Sequence, residues 1–436
     1  MRAVPTNELR GLAGHDRPGS SHTHRPAGLL LGLVTPLVQP RTAGLVTLVI
    51  YLALAGISPH LLAHSDFAYF NYLADAFLHG QLHLRLPTIK DTDLVLYSDK
   101  VYLYWPPFPA LLVVPLVALF GVTVSDVAYT AILAALSVAL LAKVLQSLDA
   151  IGIAPLSLER RAILVATVAF GSVLLILGPH GQVWITAQVI GWVCVLLATL
   201  AALTRRNTMG YLLVGVALSC ATATRLGLLF TGVWLAYYML KRDWQNPLRQ
   251  RIVASMCGTL PILSTLLLLG WYNNARFGNP LDMGLAWHNY SRYWFGSDFA
   301  RYGVFNLHYL PTNLYHHFIV YPFVSSQVGI GSGLFWMTPV LLGGPYALWR
   351  YRASPLVWLL ALSCLLVYIP IGLVMGTGYL FGSRYLLDLM VPLVVLTAIG
   401  IRHWRLDILQ ILMLISWTTF VIGTGLLLMS AFLKTA

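Results

Sequence analysis

Long apolar runs make up most of the chain, and short polar segments separate them. A helix needs about 20 apolar residues to cross a bilayer, and eleven runs reach or approach that length. They cover residues 42–62, 126–143, 161–178, 186–203, 209–224, 227–240, 252–272, 330–349, 355–374, 385–401 and 408–430. This pattern predicts an all-α polytopic membrane protein with about 11 transmembrane helices.

One further apolar stretch, PPFPALLVVPLVALFG at residues 106–121, differs from the others. It begins with a cluster of prolines, contains Pro115, and is short for a span. Such a segment is typical of an in-plane or re-entrant helix. If it crossed the bilayer, the charge pattern of the next four loops would be inverted relative to the rule that positive loops stay inside. We therefore predict that it does not cross.

Most of the positive charges, 18 of the 27 Lys and Arg residues with the N-terminal segment included, fall at one end of the predicted spans. Beyond the N-terminal segment they group as Lys143, Arg160 and Arg161; Arg205 and Arg206; Lys241, Arg242, Arg249 and Arg251; Arg350 and Arg352; Arg402 and Arg405. Lys and Arg are enriched in cytoplasmic loops, so we expect these loops and the N-terminus to be cytoplasmic in a multi-pass protein of the cytoplasmic (inner) membrane. The two long polar segments, 63–125 and 273–329, then face the outer side, where any chemistry is expected.

Composition excludes the soluble classes. The chain is 58% hydrophobic and only 10% charged, whereas about 25% is usual for soluble domains. The mean hydropathy is +0.75. The net charge of +12 sits in loops between apolar runs, so it predicts a lipid bilayer as partner and no nucleic acid. The four cysteines lie inside apolar runs and are expected to be inert.

The first outer segment begins HSDFAYFNYLADAFLHG, residues 64–80, and places Asp66 and Asp75 just beyond the first span. Apolar residues recur there at three- and four-residue spacing, which predicts a helix with one apolar face on the membrane, closed by Gly80. Asp66 is then placed as an N-cap, which stabilises a helix by about 1 kcal/mol, and Asp75 is expected to be solvated. A chemical role for Asp66 is the other interpretation, and the spacing does not separate the two.

The same outer segment continues with VLYSDKVYLYW, residues 95–105. Alternating residues on either side of Ser98-Asp99-Lys100 predict a short hairpin. It ends in the aromatic group Tyr102, Tyr104 and Trp105. Aromatic residues at this depth are typical of an interfacial belt, and a surface on which a sugar stacks has the same appearance.

The order of these features resembles the membrane-embedded C-type (GT-C) glycosyltransferases, in particular bacterial enzymes like the protein mannosyltransferases (family 39) and aminoarabinose transferases. One span is followed by an acid, Asp66, and a helix that ends in glycine. A polar loop then leads through Trp105 and a proline pair into a short apolar helix ending in Phe-Gly. Further similar stretches are TATR (222–225), WYNNARFGNPLDMG (271–284), GLFWMTPVLLGGP (333–345) and GSRYLLDLMVPL (382–393). The similarity covers most of the chain and rests on the order of features.

The resemblance implies transfer of a sugar from a polyprenyl-phosphate donor to a lipid, glycan or protein acceptor at the outer face. An acceptor hydroxyl needs a carboxylate to take its proton, and the resemblance assigns this general-base role to Asp66. The leaving phosphate needs positive charge; the candidates are Arg225, Arg384, Lys100 and Arg276. The other candidates for binding substrate are Tyr102, Tyr104, Trp105 and His180.

Each of these candidates has a structural alternative. Arg225 and Arg384 lie at predicted span ends and are also explained by snorkelling to the interface. Arg276 has the alternative of capping the end of span seven. The loop aromatics Trp287, Tyr290, Tyr293 and Trp294, and also Gln182 and Trp184, are either further cavity residues or part of an aromatic rim.

A metal cofactor is not expected. The outer segments carry several histidines, but none stands at a spacing typical of metal ligands. The Asp91-Thr92-Asp93 stretch offers two carboxylates for a divalent ion, and a solvated turn is the preferred interpretation.

The charges and the resemblance together divide the chain into four parts. They are a basic cytoplasmic N-terminal segment (1–41), a seven-span transferase module (42–272) with the outer loop 63–125, a second outer loop (273–329), and a four-span C-terminal module (330–436). The alternatives to a transferase are a transporter or flippase of lipid-linked sugars and an inactive membrane scaffold of the same fold. A transporter predicts mid-span charges and internal repeats, and neither is evident.

Overall fold

The computed structural model describes residues 28–57, 61–289, 296–323, 325–326, 329–330, 333–376 and 381–435. Most of the N-terminal segment lies outside this range, as do Tyr290, Tyr293 and Trp294. The helices are α1 Leu29–Val34, α2 Pro40–Ala55, α3 Tyr69–Leu78, α4 Phe108–Phe120, α5 Asp126–Ala150, α6 Leu158–Phe170, α7 Leu174–Leu177, α8 Val183–Thr204, α9 Thr208–Thr222, α10 Gly232–Arg242, α11 Leu248–Phe277, α12 Gly296–Tyr302, α13 Leu310–Leu314, α14 Leu334–Met337, α15 Gly343–Arg350, α16 Pro355–Leu373, α17 Met390–Gly400 and α18 Leu406–Thr435. Two small antiparallel hairpins pair β1 Val95–Tyr97 with β2 Lys100–Tyr102, and β3 Ser325–Ser326 with β4 Gly329–Ile330.

The all-α class is confirmed, since every one of the eleven predicted apolar runs contains helix. By length and composition, six helical stretches of the described chain can cross a membrane. The number is seven if Leu29–Val38 and Pro40–Ala55, which meet at a bend of 110°, form one span. The runs 227–240, 330–349 and 385–401 combine an α-helix with 3₁₀ turns. The count of eleven spans stays a prediction.

Small residues let the helices of the bundle pack closely. Where α9 crosses α11, Gly215 lies so near the backbone of Gly258 that no side chain fits between them. Gly400 of α17 meets Gly343 of α15 in the same way. Close backbone approach at glycine is a usual basis of helix association in membranes, because lipid tails leave little hydrophobic drive for it.

The basic loops predicted to be cytoplasmic lie together at one end of the bundle. Arg160, in the first turn of α6, donates a hydrogen bond from Nη2 to the backbone oxygen of Trp404, between α17 and α18 (2.9 Å). Arg242, at the end of α10, donates from Nη1 to the backbone oxygen of Arg205, between α8 and α9 (3.0 Å). We refer to this end as the basic end and to the opposite one as the loop end.

Helix α4 starts and finishes at the loop end. Its first residue, Phe108, donates its backbone N–H to the oxygen of Ala223, just beyond α9 (3.0 Å). Just after its last residue in the sequence, the carbonyls of Val122 and Val124 accept hydrogen bonds from Nδ2 of Asn71, in α3 (3.0 and 2.8 Å). Its 13 residues span about 20 Å, too short for a core of about 30 Å. This geometry agrees with the prediction that the segment does not cross.

Two expectations about the first outer segment are wrong. Helix α3 begins at Tyr69 and has Ala68 at its N-cap, so Asp66 lies in the preceding turn and caps nothing. Asp75 is only 8% exposed and accepts two hydrogen bonds from Arg85, from Nε and Nη2 (both 3.1 Å). Nearly all of α3 is buried, because the rest of the loop end encloses it. A burial pattern that depends on distant segments could not be derived from local periodicity.

The predicted hairpin is present and connects the two outer segments. Ser98 and Asp99 both have positive φ (49° and 58°), as the two central residues of a tight hairpin turn require. Just before β1, the carbonyl of Leu94 accepts from the backbone N–H of Asn289, in the second outer segment (3.1 Å). The two segments therefore form one assembly at the loop end.

Candidate functional site

A cavity of about 200 Å³ opens at the loop end, where elements distant in sequence meet. Its wall includes the segment 104–106 that leads into α4, Trp184 at the start of α8, and the segment 224–227 after α9. The second outer segment, the end of α16 and the turn Arg384–Leu389 complete it. Two predicted cations, Arg225 and Arg384, thus share one cavity.

Arg225 is paired with a carboxylate. Its Nε lies 2.6 Å from Oδ2 of Asp388, and the side chains are 14% and 6% exposed. The guanidinium also lies over Trp105, 5.3 Å from the ring centroid. Because the two charges are in direct contact and largely shielded from solvent, the pair presents little net charge to the cavity.

Arg384 differs from Arg225, since no ion pair to it is found within the described part of the chain. It has long hydrogen bonds from Nη1 to Gln188 Oε1 (3.5 Å) and from Nη2 to Tyr385 Oη (3.4 Å). Its guanidinium lies 4.6 Å from the ring centroid of Tyr385 and 5.7 Å from that of Trp184. Arg384 is therefore the cation of the described cavity wall that has no carboxylate in direct contact, although Asp93 also lines the cavity. The aromatic rings around it suit an anion with an apolar or sugar portion.

Asp66 lies beside the cavity rather than in its wall. It is half-buried, and among the described residues its carboxylate has no hydrogen bond or ion pair. The next residue, Phe67, packs its ring against Trp184, with centroids 5.0 Å apart. The carbonyl of Phe67 also accepts from the backbone N–H of Val183 (3.0 Å). The free carboxylate is thus one residue from a contact with the cavity wall.

Four other predicted residues are not brought to the cavity wall. Lys100 is exposed on the hairpin, and Tyr102 is buried against Phe277, with ring centroids 5.3 Å apart. Only Tyr104 and Trp105 of the aromatic group line the cavity. His180 does not line the cavity: its Nδ1 lies 2.7 Å from the backbone oxygen of Ile176, and burial lowers its pKa.

Arg276, the fourth of these residues, serves the fold. It is 4% exposed, and its Nη1 donates to the backbone oxygen of Leu103 (2.7 Å), while its Nη2 donates to Asn273 Oδ1 (2.8 Å). The guanidinium stacks on Tyr272, 3.8 Å from the ring centroid. Each of its three nitrogens donates to another group of the protein, so Arg276 ties α11 to the first outer segment and does not line the cavity.

We expect Arg276→Met to lower the free energy of unfolding by about 1–3 kcal/mol, because the buried carbonyl of Leu103 loses its donor. Denaturant unfolding of the purified protein in detergent measures the effect. Lys100→Met, on the exposed hairpin, is the control and should leave the unfolding curve unchanged. If Arg276→Met raised the KM for the polyprenyl-phosphate sugar and left the unfolding curve unchanged, Arg276 would instead be a residue that binds substrate.

Asp388 and Asp126 are the functional candidates that the sequence analysis missed. Asp388 stands inside the apolar run 385–401, four residues after Arg384, and an acid within a predicted span is the signal that could have drawn attention to it. Asp126 opens α5 directly after the cap Ser125 and has the appearance of an ordinary first-turn acid. It is 1% exposed and accepts hydrogen bonds from Ser65 and Gln182.

No group of three or more His, Cys, Asp and Glu side chains that could hold a metal is found in the regions the structure covers. Asp93 of the predicted two-carboxylate stretch lies 3.7 Å from Nε2 of His288. Burial lowers the pKa of His288 to about 3, so this imidazole is neutral at physiological pH. That the protein needs no metal cofactor stays a prediction.

An apolar groove of about 530 Å³ extends from near the loop end toward the basic end. It lies among α4, α5, α8 and α9, from Phe108 near the loop end to Arg205. Phe108 is two residues beyond Pro106, which lines the cavity. Apolar side chains such as Leu197 (43% exposed) and Val216 (45%) face outward along it. The groove therefore begins two residues from the cavity wall and is lined by apolar side chains on the outside of the bundle.

Comparison with known proteins supports the fold. No family model matches the sequence, and no curated protein matches it. Two crystal structures of ArnT from Cupriavidus metallidurans do match the fold. The structure bound to undecaprenyl phosphate has a TM-score of 0.50 at 14% identity, over 91% of this chain and 63% of that chain. The apo structure has a TM-score of 0.47 at 15% identity, over 90% and 62%.

This chain thus spans less than two thirds of the length of ArnT. At 14% identity the likeness shows the fold alone. It confirms the GT-C-like, all-α fold that the order of sequence features predicted.

Proposed function

We propose that this protein is a glycosyltransferase of the cytoplasmic membrane that moves a sugar from a polyprenyl-phosphate donor to an acceptor hydroxyl at the outer face. The observation that carries the proposal is Arg384, a cation without a carboxylate partner among the described residues, in an aromatic cavity next to the free carboxylate of Asp66. The GT-C-like fold supports it, and one neighbour of that fold was crystallised with undecaprenyl phosphate.

Arg384 is the group that binds the donor phosphate in this proposal. An arginine forms paired, charge-assisted hydrogen bonds with phosphate oxygens. Its present hydrogen bonds to Gln188 and Tyr385 are long, so an anion replaces them at small cost. The indole N–H of Trp105 is buried with no partner in the described chain and is a further donor at the cavity. Both stabilise the charge that develops on the leaving phosphate.

The aromatic wall holds the sugar. Tyr104, Trp105, Trp184 and Tyr385 all line the cavity. Their rings present flat apolar faces with polar edges, and the C–H face of a pyranose or furanose ring packs on such surfaces. The sugar is thereby held with its anomeric carbon between the arginine-bound phosphate and the acceptor.

Asp66 acts as the general base on the acceptor. Its carboxylate accepts the proton of the acceptor hydroxyl as that oxygen bonds to the anomeric carbon. The bond from this carbon to the phosphate oxygen breaks, and polyprenyl phosphate leaves with the electron pair. Base and leaving group stand on opposite sides of the sugar, so the anomeric configuration inverts. Since Asp66 lies outside the cavity wall, the acceptor approaches from its side.

The apolar groove holds the first part of the donor's lipid tail. A tail anchored there leaves the phosphate at the cavity without removing the rest of the chain from the bilayer. We expect Ala217→Trp, which fills the groove wall, to raise the KM for an undecaprenyl-length donor about 10-fold, equivalent to losing about two buried methylene groups. Kinetics with long-chain and short-chain donors measure the effect.

A short-chain donor that does not reach the groove should be unaffected by this substitution. Leu267→Trp, on an exposed side of α11 away from the groove, is the matched control. An equal loss with both donors would place the tail elsewhere.

A direct assay tests the function. Purified protein in lipid nanodiscs is given a series of radiolabelled polyprenyl-phosphate sugars together with a membrane extract as acceptor source. Label moving from the donor to an acceptor fraction, with release of polyprenyl phosphate, supports the proposal. Absence of transfer with every donor, together with translocation of sugar lipid in vesicles, would support a flippase instead; absence of both would favour an inactive scaffold.

A further inference from the structure

The carboxylate of Asp126 joins two segments that flank the candidate base. Its Oδ1 accepts from the backbone N–H of Ser65 (2.7 Å), and its Oδ2 accepts from Ser65 Oγ (2.6 Å). Oδ2 also accepts from the backbone N–H of Gln182 (2.8 Å). With 1% of its surface exposed, the side chain is removed from solvent and its charge is satisfied by these donors. Buried hydrogen bonds to a charged group are among the stronger ones in proteins.

The backbone around this carboxylate is shaped to receive it. Gln182 has φ of +111°, a strained value for a residue other than glycine. A side chain at Gly181 would lie 2.6 Å from the carboxyl group of Asp126, so only glycine fits there. Strain of this kind persists where the surroundings hold it in place. The contact with Asp126 is therefore specific to this local conformation.

We propose that Asp126 is a positioning residue, which fixes the turn carrying Asp66 against the wall of the cavity; this inference rests on the proposed function. Ser65 immediately precedes Asp66, and Gln182 immediately precedes Val183, whose N–H binds the carbonyl of Phe67. We call the contacts of Asp126 with Ser65 and Gln182 the clamp. Together with the bond from Val183 to Phe67, the clamp holds the residues on both sides of Asp66 to the start of α8. Trp184, two residues beyond Gln182, is the part of that helix that lines the cavity.

These contacts of Asp126 give the turn that carries Asp66 a fixed position. Asp66 has no hydrogen bond to orient it among the described residues, and it does not belong to a helix. Misplacement of a reacting group by about 1 Å costs about 10²-fold in rate. Asp126 provides the constraint without using the Asp66 carboxylate, which remains free to accept a proton.

Asp126→Asn tests the clamp with little change in volume. The amide nitrogen of asparagine is a donor and cannot accept a hydrogen bond. At least one of the N–H and O–H groups that now donate to the carboxylate therefore loses its acceptor. Ser65→Ala is a milder second variant, which removes only the hydroxyl bond and serves if Asp126→Asn does not fold. The matched control is Asp75→Asn. Asp75 is also buried in the loop end and accepts two hydrogen bonds, but from Arg85.

Two measurements are made on each variant in nanodiscs: hydrogen–deuterium exchange of peptides covering 62–68 and 181–186, and kcat and KM for the donor. For Asp126→Asn we expect faster exchange in both peptides and a kcat lower by about 10²-fold with KM unchanged. Ser65→Ala should change both in the same direction and by less. Asp75→Asn should leave both peptides unchanged.

Unchanged exchange in Asp126→Asn and Ser65→Ala would overturn the inference, as would equal losses of kcat in the Asp126 and Asp75 variants. Failure of the proposed function would give a different result, namely sugar transfer that persists when Asp66 itself is replaced. The exchange data then still decide whether the clamp exists.

Discussion

Asp66→Asn is expected to lower kcat for sugar transfer by about 10²- to 10⁴-fold, the usual contribution of a general base. Asparagine keeps the size of the side chain and cannot take a proton from the acceptor. Because the carboxylate has no hydrogen bond or ion pair within the described chain, its removal disturbs no structural contact there. The KM for the donor and the unfolding curve should therefore stay close to those of the parent protein.

Steady-state transfer with a polyprenyl-phosphate sugar donor checks this result. Asp99→Asn is the control, since Asp99 is an exposed acid in the hairpin turn of the same outer segment. Transfer that persists at the parent rate in the Asp66 variant would remove the base assignment. The donor site would then need to be tested separately, through Arg384.

Arg384→Gln is expected to lower kcat/KM by about 10²- to 10³-fold, because the leaving phosphate loses the cation that stabilises its developing charge. Arg384→Lys should recover part of the loss, since it restores the charge without the paired donors of a guanidinium. Neither change should greatly alter stability, because Arg384 has only long hydrogen bonds from its guanidinium in the described structure. Transfer kinetics and denaturant unfolding measure the two effects.

Arg225→Gln is the matched comparison in the same cavity. Arg225 is paired with buried Asp388 at 2.6 Å, and removing one member of a buried ion pair costs about 3–5 kcal/mol of stability. We therefore expect the Arg225 variant to unfold more easily and the Arg384 variant to be stable but slow. The opposite outcome, with a stable, inactive Arg225 variant and an active Arg384 variant, would exchange the roles of the two arginines.

Local patterns predicted those parts of the fold that depend on local physics. The eleven apolar runs all contain helix, and the Ser98–Asp99 turn forms the expected hairpin. The basic loops were predicted to share one end, and Arg160 and Arg242 bind carbonyls of other basic loops there. These features follow from hydrophobicity, turn preference and the cost of placing charge in lipid, which short stretches of sequence already carry.

The roles of individual charged residues were less predictable. Asp66 and Asp75 stand in one amphipathic-looking stretch, yet one is free and the other is paired with Arg85. Arg225 and Arg384 are both arginines at predicted span ends, but only Arg225 has a carboxylate beside it. The partners lie 10 and 163 positions away in the chain, so no local pattern identifies them.

The sequence by itself therefore determined the all-α membrane class and the separation of a basic end from a loop end, and it predicted the two outer segments as the place for chemistry. Only the tertiary structure decided which acid and which arginine remain unpaired, and it revealed the carboxylate of Asp126 between Ser65 and Gln182. The physical reason is that apolar burial in a membrane follows from composition along the chain. Pairing of a charge depends on which groups from distant segments come within about 3 Å of it.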